Sequence, residues 1–146
     1  MGVPSPDDMF THLSAALNGG DMDAALALYE PDAGFISGTG ELARGESGLR
    51  AEFQTMISAK ITMSGKAVKT IVVKDLALVF VQYTGTIPTD DGKTIELSGL
   101  STDVLRRQAD GTWLSVIDNP FGTQLVGGQP VAQDILDAAN KAAATA

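Results

Sequence analysis

After Ala59 the spacing of apolar residues changes from helical to alternating, and the alternation persists as far as Phe121. A run of this kind, cut only by short turn signals, restricts the second half of the chain to an antiparallel meander, because consecutive strands joined by tight turns pair with their neighbours. Strands are expected at about Lys60 to Val73, Leu76 to Pro88, Lys93 to Gln108 and Thr112 to Phe121. The breaks between them, Lys74-Asp75, Asp90-Asp91-Gly92 and Asp110-Gly111, are hairpin signals. Strands this long exceed the usual length and require a strongly curved sheet. Gly65, Gly85 and Gly99 fall in mid-strand, where glycine often marks a bulge or bend.

The segment before Ala59 reads as helical. Ser5 and Asp7 are N-cap candidates for a first helix reaching Asn18, with Met9, Phe10, Leu13, Ala16 and Leu17 at helical spacing. Gly19-Gly20 stops it. Asp21 caps a second helix through about Tyr29, and Pro31 ends it, because a residue before proline avoids the helical region. Ala33 to Ser37 reads as a short strand, with Glu41 to Ala43 pairing back across Gly38-Thr39-Gly40. Gly45 opens a third helix with Glu46 in its first turn, where a negative charge suits the dipole. Leu49, Phe53, Met56 and Ile57 form its apolar stripe.

These elements predict an α+β fold. Three N-terminal helices pack on one face of a strongly curved antiparallel sheet, forming a cone with a pocket at its base. Residues 1–125 make one domain, consistent with 146 residues of which 44% are hydrophobic. Residues 126–146 differ: Gly127-Gly128 and Pro130 punctuate an alanine-rich stretch of high helix propensity, expected to form a helical tail.

The formal net charge of −8 repels phosphate backbones and argues against nucleic-acid binding. Cysteine is absent, which removes disulfides, thiolate metal sites and cysteine nucleophiles. One histidine without cysteine argues against zinc, and no metal or cofactor is expected. Asp90 and Asp91 read as turn chemistry, and GTGELARG lacks the lysine of a phosphate loop. The N-terminus carries no signal-peptide pattern, and the longest apolar stretch, Ile71 to Val81, contains Lys74 and Asp75. A cytoplasmic protein without membrane contact is the expectation.

Four stretches, GDMDAALALYEPDAGF (Gly20 to Phe35), ARGESGLRAEF (Ala43 to Phe53), STDVLRRQADGTW (Ser101 to Trp113) and VIDNPFG (Val116 to Gly122), resemble in order and spacing the nuclear transport factor 2-like superfamily, in its SnoaL-like and ketosteroid-isomerase-like branch. The resemblance implies the cone-shaped fold and a homodimer made by sheet-to-sheet contact. It does not fix an activity, because one fold hosts many functions. The ketosteroid isomerases use an aspartate base on the first strand, with a tyrosine and a protonated aspartic acid as oxyanion donors. By spacing, Leu13 holds the tyrosine's place and Ser37 the base's place, so steroid-type isomerisation is not expected. Asp103 falls at the place of the oxyanion aspartic acid. Strand alternation puts it on one face with Leu97, Gly99, Ser101 and Leu105. Among apolar walls its pKa would rise and the neutral, donating form would be favoured; the competing reading is a carboxyl bonded to hydroxyls or backbone N–H groups, or facing solvent.

His12, the sole histidine, lies beside the apolar stripe of the first helix and is the candidate base to pair with Asp103. Asp118 and Asn119 have opposite parity, so at most one faces inward. Asp118 reads as a base or as the cap of the turn before Pro120, and the turn is favoured. Leu13, Phe35, Ser37 and Phe53 are expected in the pocket wall. Tyr83, Ser101, Trp113 and Asn119 join them, with Tyr83 and Trp113 bringing a polar handle, while Tyr29 reads as a helix-packing residue. Two functions follow as expectations. One is an acid–base enzyme without a cofactor, of isomerase, cyclase or dehydratase type, acting on an apolar small molecule. The other is a non-catalytic module for ligand binding or dimerisation.

Overall fold

The computed structural model describes residues 2–122 and 124. The Ser5 hydroxyl accepts the Asp7 N–H at 3.4 Å over a 3-10 turn, Pro6–Asp8, that leads into helix α1 (Met9–Asn18). Asp21 caps helix α2 (Met22–Leu26), its Oδ1 accepting the Ala24 N–H at 3.0 Å. Between them the chain reverses at Gly20, whose φ of 71° suits glycine. Helix α3 spans Gly45–Ser58 and buries Leu49 and Phe53 completely.

The second helix is shorter than its sequence suggests. It ends at Leu26, and Tyr29 opens strand β1 (Tyr29–Ile36). Long-range contacts override the local helical pattern here. The Leu28 carbonyl accepts the Ser115 N–H at 2.8 Å, and the Tyr29 ring packs 5.4 Å from Phe53. Pro31, which has no N–H to give, lies in the stretch where the β1 register shifts.

Strand β2 (Leu42–Arg44) pairs antiparallel with β1. The long strands are β3 (Thr62–Val73), β4 (Leu76–Pro88) and β5 (Thr94–Arg107), followed by β6 (Trp113–Asp118). The hairpins fall at the expected breaks, and β3 to β6 form the meander. The six strands make one curved sheet in the order β2-β1-β6-β5-β4-β3. The expectation of a wholly antiparallel sheet needs correction: β1 runs parallel to β6 and beside it, so the sheet is mixed. The bulges also differ from expectation. They fall between Ala67 and Lys69 in β3 and opposite Val104–Leu105 in β6. Gly99 instead makes room for an aromatic ring: a methyl group there would stand 2.5 Å from Tyr83 Oη.

The inner face of the sheet, with Ala77, Val79, Val81 and Leu105, packs against the helices and forms one core with Leu13, Leu17 and Phe53. On the outer face, one row of paired residues runs Ile71–Leu78–Val104–Ile117 across four strands. Ile71, Leu78 and Ile117 are 44%, 36% and 45% exposed. Among the described residues no helix is long and apolar enough to cross a membrane. The expected helical tail at 126–146 lies outside the described residues.

Candidate functional site

A cavity of about 300 Å³ lies between α1, α3 and the inner face of the sheet. Its walls are apolar: Met9, Phe10, Leu13 and Leu17 from α1, Met56 from α3, and Phe35 from β1. Val79, Val81, Leu97 and Leu105 line the sheet side. Two carboxyl groups interrupt this surface, Asp103 of β5 and Asp118 at the end of β6.

The bulge explains how both come to face inward. Ser115 pairs with Leu105, but the next partner of β5, Val104, pairs with Ile117, so Val116 is the extra residue. Strict alternation from Trp113 and Ser115 would send Asp118 outward; the inserted residue reverses the parity and turns it in. Asp118 is 7% exposed and pairs in register with Phe35. The sequence reading that made Asp118 a turn cap is therefore corrected: its carboxyl is committed to the interior.

Each carboxyl is held by fixed donors. Asp103 Oδ2 accepts the Ser101 hydroxyl at 2.6 Å, and Oδ1 accepts the Asn119 N–H at 3.0 Å. Asp118 Oδ2 accepts the Tyr29 hydroxyl at 2.5 Å. Both carboxyls line the same cavity, near enough to perturb each other's ionisation. One side of Asp103 faces the cavity, while protein packs closely around the rest of it. This burial holds its pKa well above the usual carboxylate range, and the adjacent Asp118 charge pushes it further. Burial raises Asp118 as well, against the lowering effect of the hydrogen bonds from Tyr29 and Asp103. Two negative charges in contact in a poorly solvated site repel strongly, so the pair favours holding one proton between its members and titrates as a unit. The proton belongs to the pair, which burial and mutual repulsion move above the ordinary carboxylate range. Burial, then the charge of Asp118, also raises the phenols of Tyr29 and Tyr83, which remain hydroxyl donors.

The other residues singled out by sequence divide into two groups. Leu13, Phe35, Tyr83 and Ser101 line the cavity with Asp103. The Tyr83 hydroxyl donates to the Pro120 carbonyl at 2.8 Å, and its ring stacks on Phe10 at 5.9 Å. His12 requires correction: it lies on the exposed side of α1, away from the cavity lining, because the buried stripe runs through Met9, Leu13 and Leu17. It is not positioned to act as the base. Ser37, Phe53, Trp113 and Asn119 do not line the cavity either. Ser37 bonds Thr39 at 2.8 Å, Phe53 is wholly buried behind Phe35, and Trp113 packs under Arg107 and pairs with Val3. The Asn119 side chain donates to Thr102 and Gly122 at 3.0 Å, so its part in the site is the backbone N–H given to Asp103.

Tyr29 and Asp118 are the residues that sequence reasoning missed in their site roles. Tyr29 carried a helical signal and Asp118 a turn signal, and only the pairing of β1 with β6 brings them together. Among the described residues, no group of three or more His, Cys, Asp or Glu converges as metal ligands would.

Comparison with known proteins places this geometry in a family. A sequence model of the SnoaL-like domain matches residues 10–116. A nuclear transport factor 2-like protein with a cystatin-like fold from Novosphingobium aromaticivorans is similar at TM-score 0.69 and 16% identity, over 89% of this chain and 85% of that one. A conserved protein from Planctomyces limnophilus (TM-score 0.67, 20% identity, 75% of this chain and 87% of that one) shares the fold. So does a ketosteroid isomerase-like protein from Erwinia carotovora atroseptica (TM-score 0.66, 19% identity, 75% and 87%). No curated protein sequence matches the chain. The chain belongs to the SnoaL-like domain family, and it shares its fold with these structures.

Proposed function

We propose that the protein is an acid–base enzyme without a cofactor, of isomerase, cyclase or dehydratase type, acting on an apolar small molecule held in the cone pocket. The observation that carries this reading is the Asp103–Asp118 pair in a cavity that is otherwise almost wholly apolar. A pair sharing one proton offers an acid and a base side by side. The pKa values of both are moved toward neutrality, where general acid–base catalysis is most efficient. Asp118 takes the role of base that the sequence gave to His12, and Asp103 donates to the oxygen of the substrate.

The test is proton exchange. Cyclic ketones and enones are incubated with the protein in deuterium oxide and followed by mass spectrometry. Wild type is expected to speed exchange next to the carbonyl. Asp118→Asn should lower that rate by about two orders of magnitude or more, the usual contribution of a positioned base. Ketones that bind without exchange or turnover would favour the second reading, a non-catalytic binding module. Leu13 and Ser37, standing at the isomerase's tyrosine and base positions, are what supports that reading.

The exposed row on the outer sheet face supports a homodimer through that face. The absence of cysteine supports a cytoplasmic location.

A further inference from the structure

Ser115 has no role in the acid–base reading above, yet its position is unusual. It is 2% exposed and lines the cavity. Its backbone N–H is used by Leu28, but among the described residues its hydroxyl makes no hydrogen bond. No side-chain oxygen sealed inside the described protein lacks a partner, so the Ser115 hydroxyl touches the open space of the cavity. The neighbouring hydroxyls are already committed. Ser101 gives its proton to Asp103, Tyr29 to Asp118 and Tyr83 to the Pro120 carbonyl. Ser115 is also placed beside the carboxyl pair: it is the inward residue of β6 before Asp118, it pairs with Tyr29 on one side and it pairs with Leu105 on the other.

The charge of the cavity is one-sided. No lysine, arginine or histidine is among its described lining residues, and its ionisable groups are two carboxyls and the Tyr83 phenol. Three arginines are paired with carboxylates outside the cavity. Arg106 pairs with Glu30 at 3.0 Å, Arg107 pairs with Asp75 at 3.5 Å, and Arg50 pairs with Glu46 at 3.1 Å. A ligand carboxylate would lose its hydration, find no cation and face the charge of the pair. Beside the carboxyl pair, a neutral carbonyl, hydroxyl or ether oxygen would meet the shared carboxyl proton and the Ser115 hydroxyl; the other polar lining side chains without a hydrogen bond among the described residues, Ser98 and Gln124, lie at exposed positions.

We infer that Ser115 is a specificity-determining residue, and that the site takes neutral, mostly apolar ligands through one oxygen held by Ser115 and the carboxyl pair, rejecting their carboxylate analogues. The inference deepens the proposed function by naming its substrate class. It rests on the same cavity, but it is read by binding and survives even where turnover is absent.

The test uses three probes of one skeleton at near-neutral pH: acetylnaphthalene, its hydrocarbon counterpart ethylnaphthalene, and naphthoate. Affinities for the full chain and for Ser115→Ala are measured by calorimetry, with circular dichroism to check the fold. Wild type is expected to bind the ketone at least about tenfold tighter than naphthoate. In Ser115→Ala the ketone should lose about three- to tenfold, the span of one neutral hydrogen bond, while the hydrocarbon is unchanged. Equal loss for ketone and hydrocarbon would mean that Ser115 only packs, and would overturn the assignment. Naphthoate binding as tightly as the ketone would overturn the charge selection, as would failure of wild type to bind either neutral probe. Binding that follows the expected order without exchange in deuterium oxide would sink the enzymatic reading alone.

Discussion

The Tyr29 hydroxyl donates to Asp118 Oδ2 across 2.5 Å, tying the start of the first strand to the end of the last. Apart from Asp103, it is the one side-chain donor to that carboxyl among the described residues, and it favours the charged form of Asp118. Tyr29→Phe leaves the ring packing on Phe53 and removes only the donor. We expect this variant to lose about 1.5–3 kcal/mol at neutral pH, the range for a hydrogen bond to a charged group. The loss should shrink in acid, as Asp118 becomes protonated. Urea melts at two pH values check this, and an unchanged midpoint at neutral pH would refute it.

Stability should depend on pH in a definite direction. Asp103 and Asp118 have folded-state pKa values above those of unfolded carboxyls, so the native state binds more protons than the unfolded state. Their contribution is fully present below the ordinary carboxylate range and is lost as pH rises through the raised values. Asp103→Asn keeps the shape and removes the group whose ionisation would add a second charge to the buried pair. It should raise the melting temperature at neutral pH by a few degrees and flatten the slope between mild acid and neutrality. A variant whose slope matches wild type would show that the pair does not carry this dependence.

The coupling itself is open to direct measurement. With carbon-13 in the aspartate side chains, the Asp103 carboxyl should titrate above the normal range in wild type. In Asp118→Asn it should move down, because the neighbouring charge is gone while the Ser101 and Asn119 donors remain. An Asp103 titration unaffected by that substitution would mean that the two groups act separately.

Gly99 is tested through the ring it accommodates. A methyl group there meets Tyr83 Oη at 2.5 Å and Cζ at 2.7 Å. Gly99→Ala should cost about 1–3 kcal/mol as an overpacking substitution and break the Tyr83–Pro120 hydrogen bond. Tyr83→Leu in the same chain should recover part of that loss, giving a non-additive double-mutant cycle. Strictly additive melts would place the strain elsewhere.

On the outer face, Leu78→Asp puts a charge in the middle of the Ile71–Leu78–Val104–Ile117 row. Sedimentation at micromolar concentration should find wild type dimeric and the variant monomeric, with the fold retained. A monomeric wild type would remove the proposed dimer.

Local signals carried much of this architecture. The hairpins after Val73, Pro88 and Gln108 follow from turn residues, and the side shared by Ser101, Asp103 and Leu105 follows from two-residue periodicity in an unbroken strand. The errors fall where distant segments meet. Helical spacing continues through Tyr29, yet its ring and hydroxyl find partners 24 and 89 residues away, in Phe53 and Asp118. Asp118 precedes Asn119-Pro120, an ordinary turn signal, and the bulge at Val116 that turns it inward leaves no mark in composition. His12 sits one position from the apolar stripe, and a shift of one residue on a helix is enough to move a side chain from wall to solvent.

The parallel neighbours β1 and β6 have a consequence for assembly order. The last of the described strands is inserted in the middle of the sheet, between β1 and β5. Until it docks, the sheet itself is in two pieces, the β1–β2 pair and the three-stranded ribbon β3 to β5, and the ribbon holds one acidic group without the other. A nascent or clipped chain ending before Trp113 therefore lacks both the joint between the pieces and half of its chemistry. Such sequence-distant pairing slows folding, so the proposed carboxyl pair should assemble only with the final cooperative step, never in a fragment.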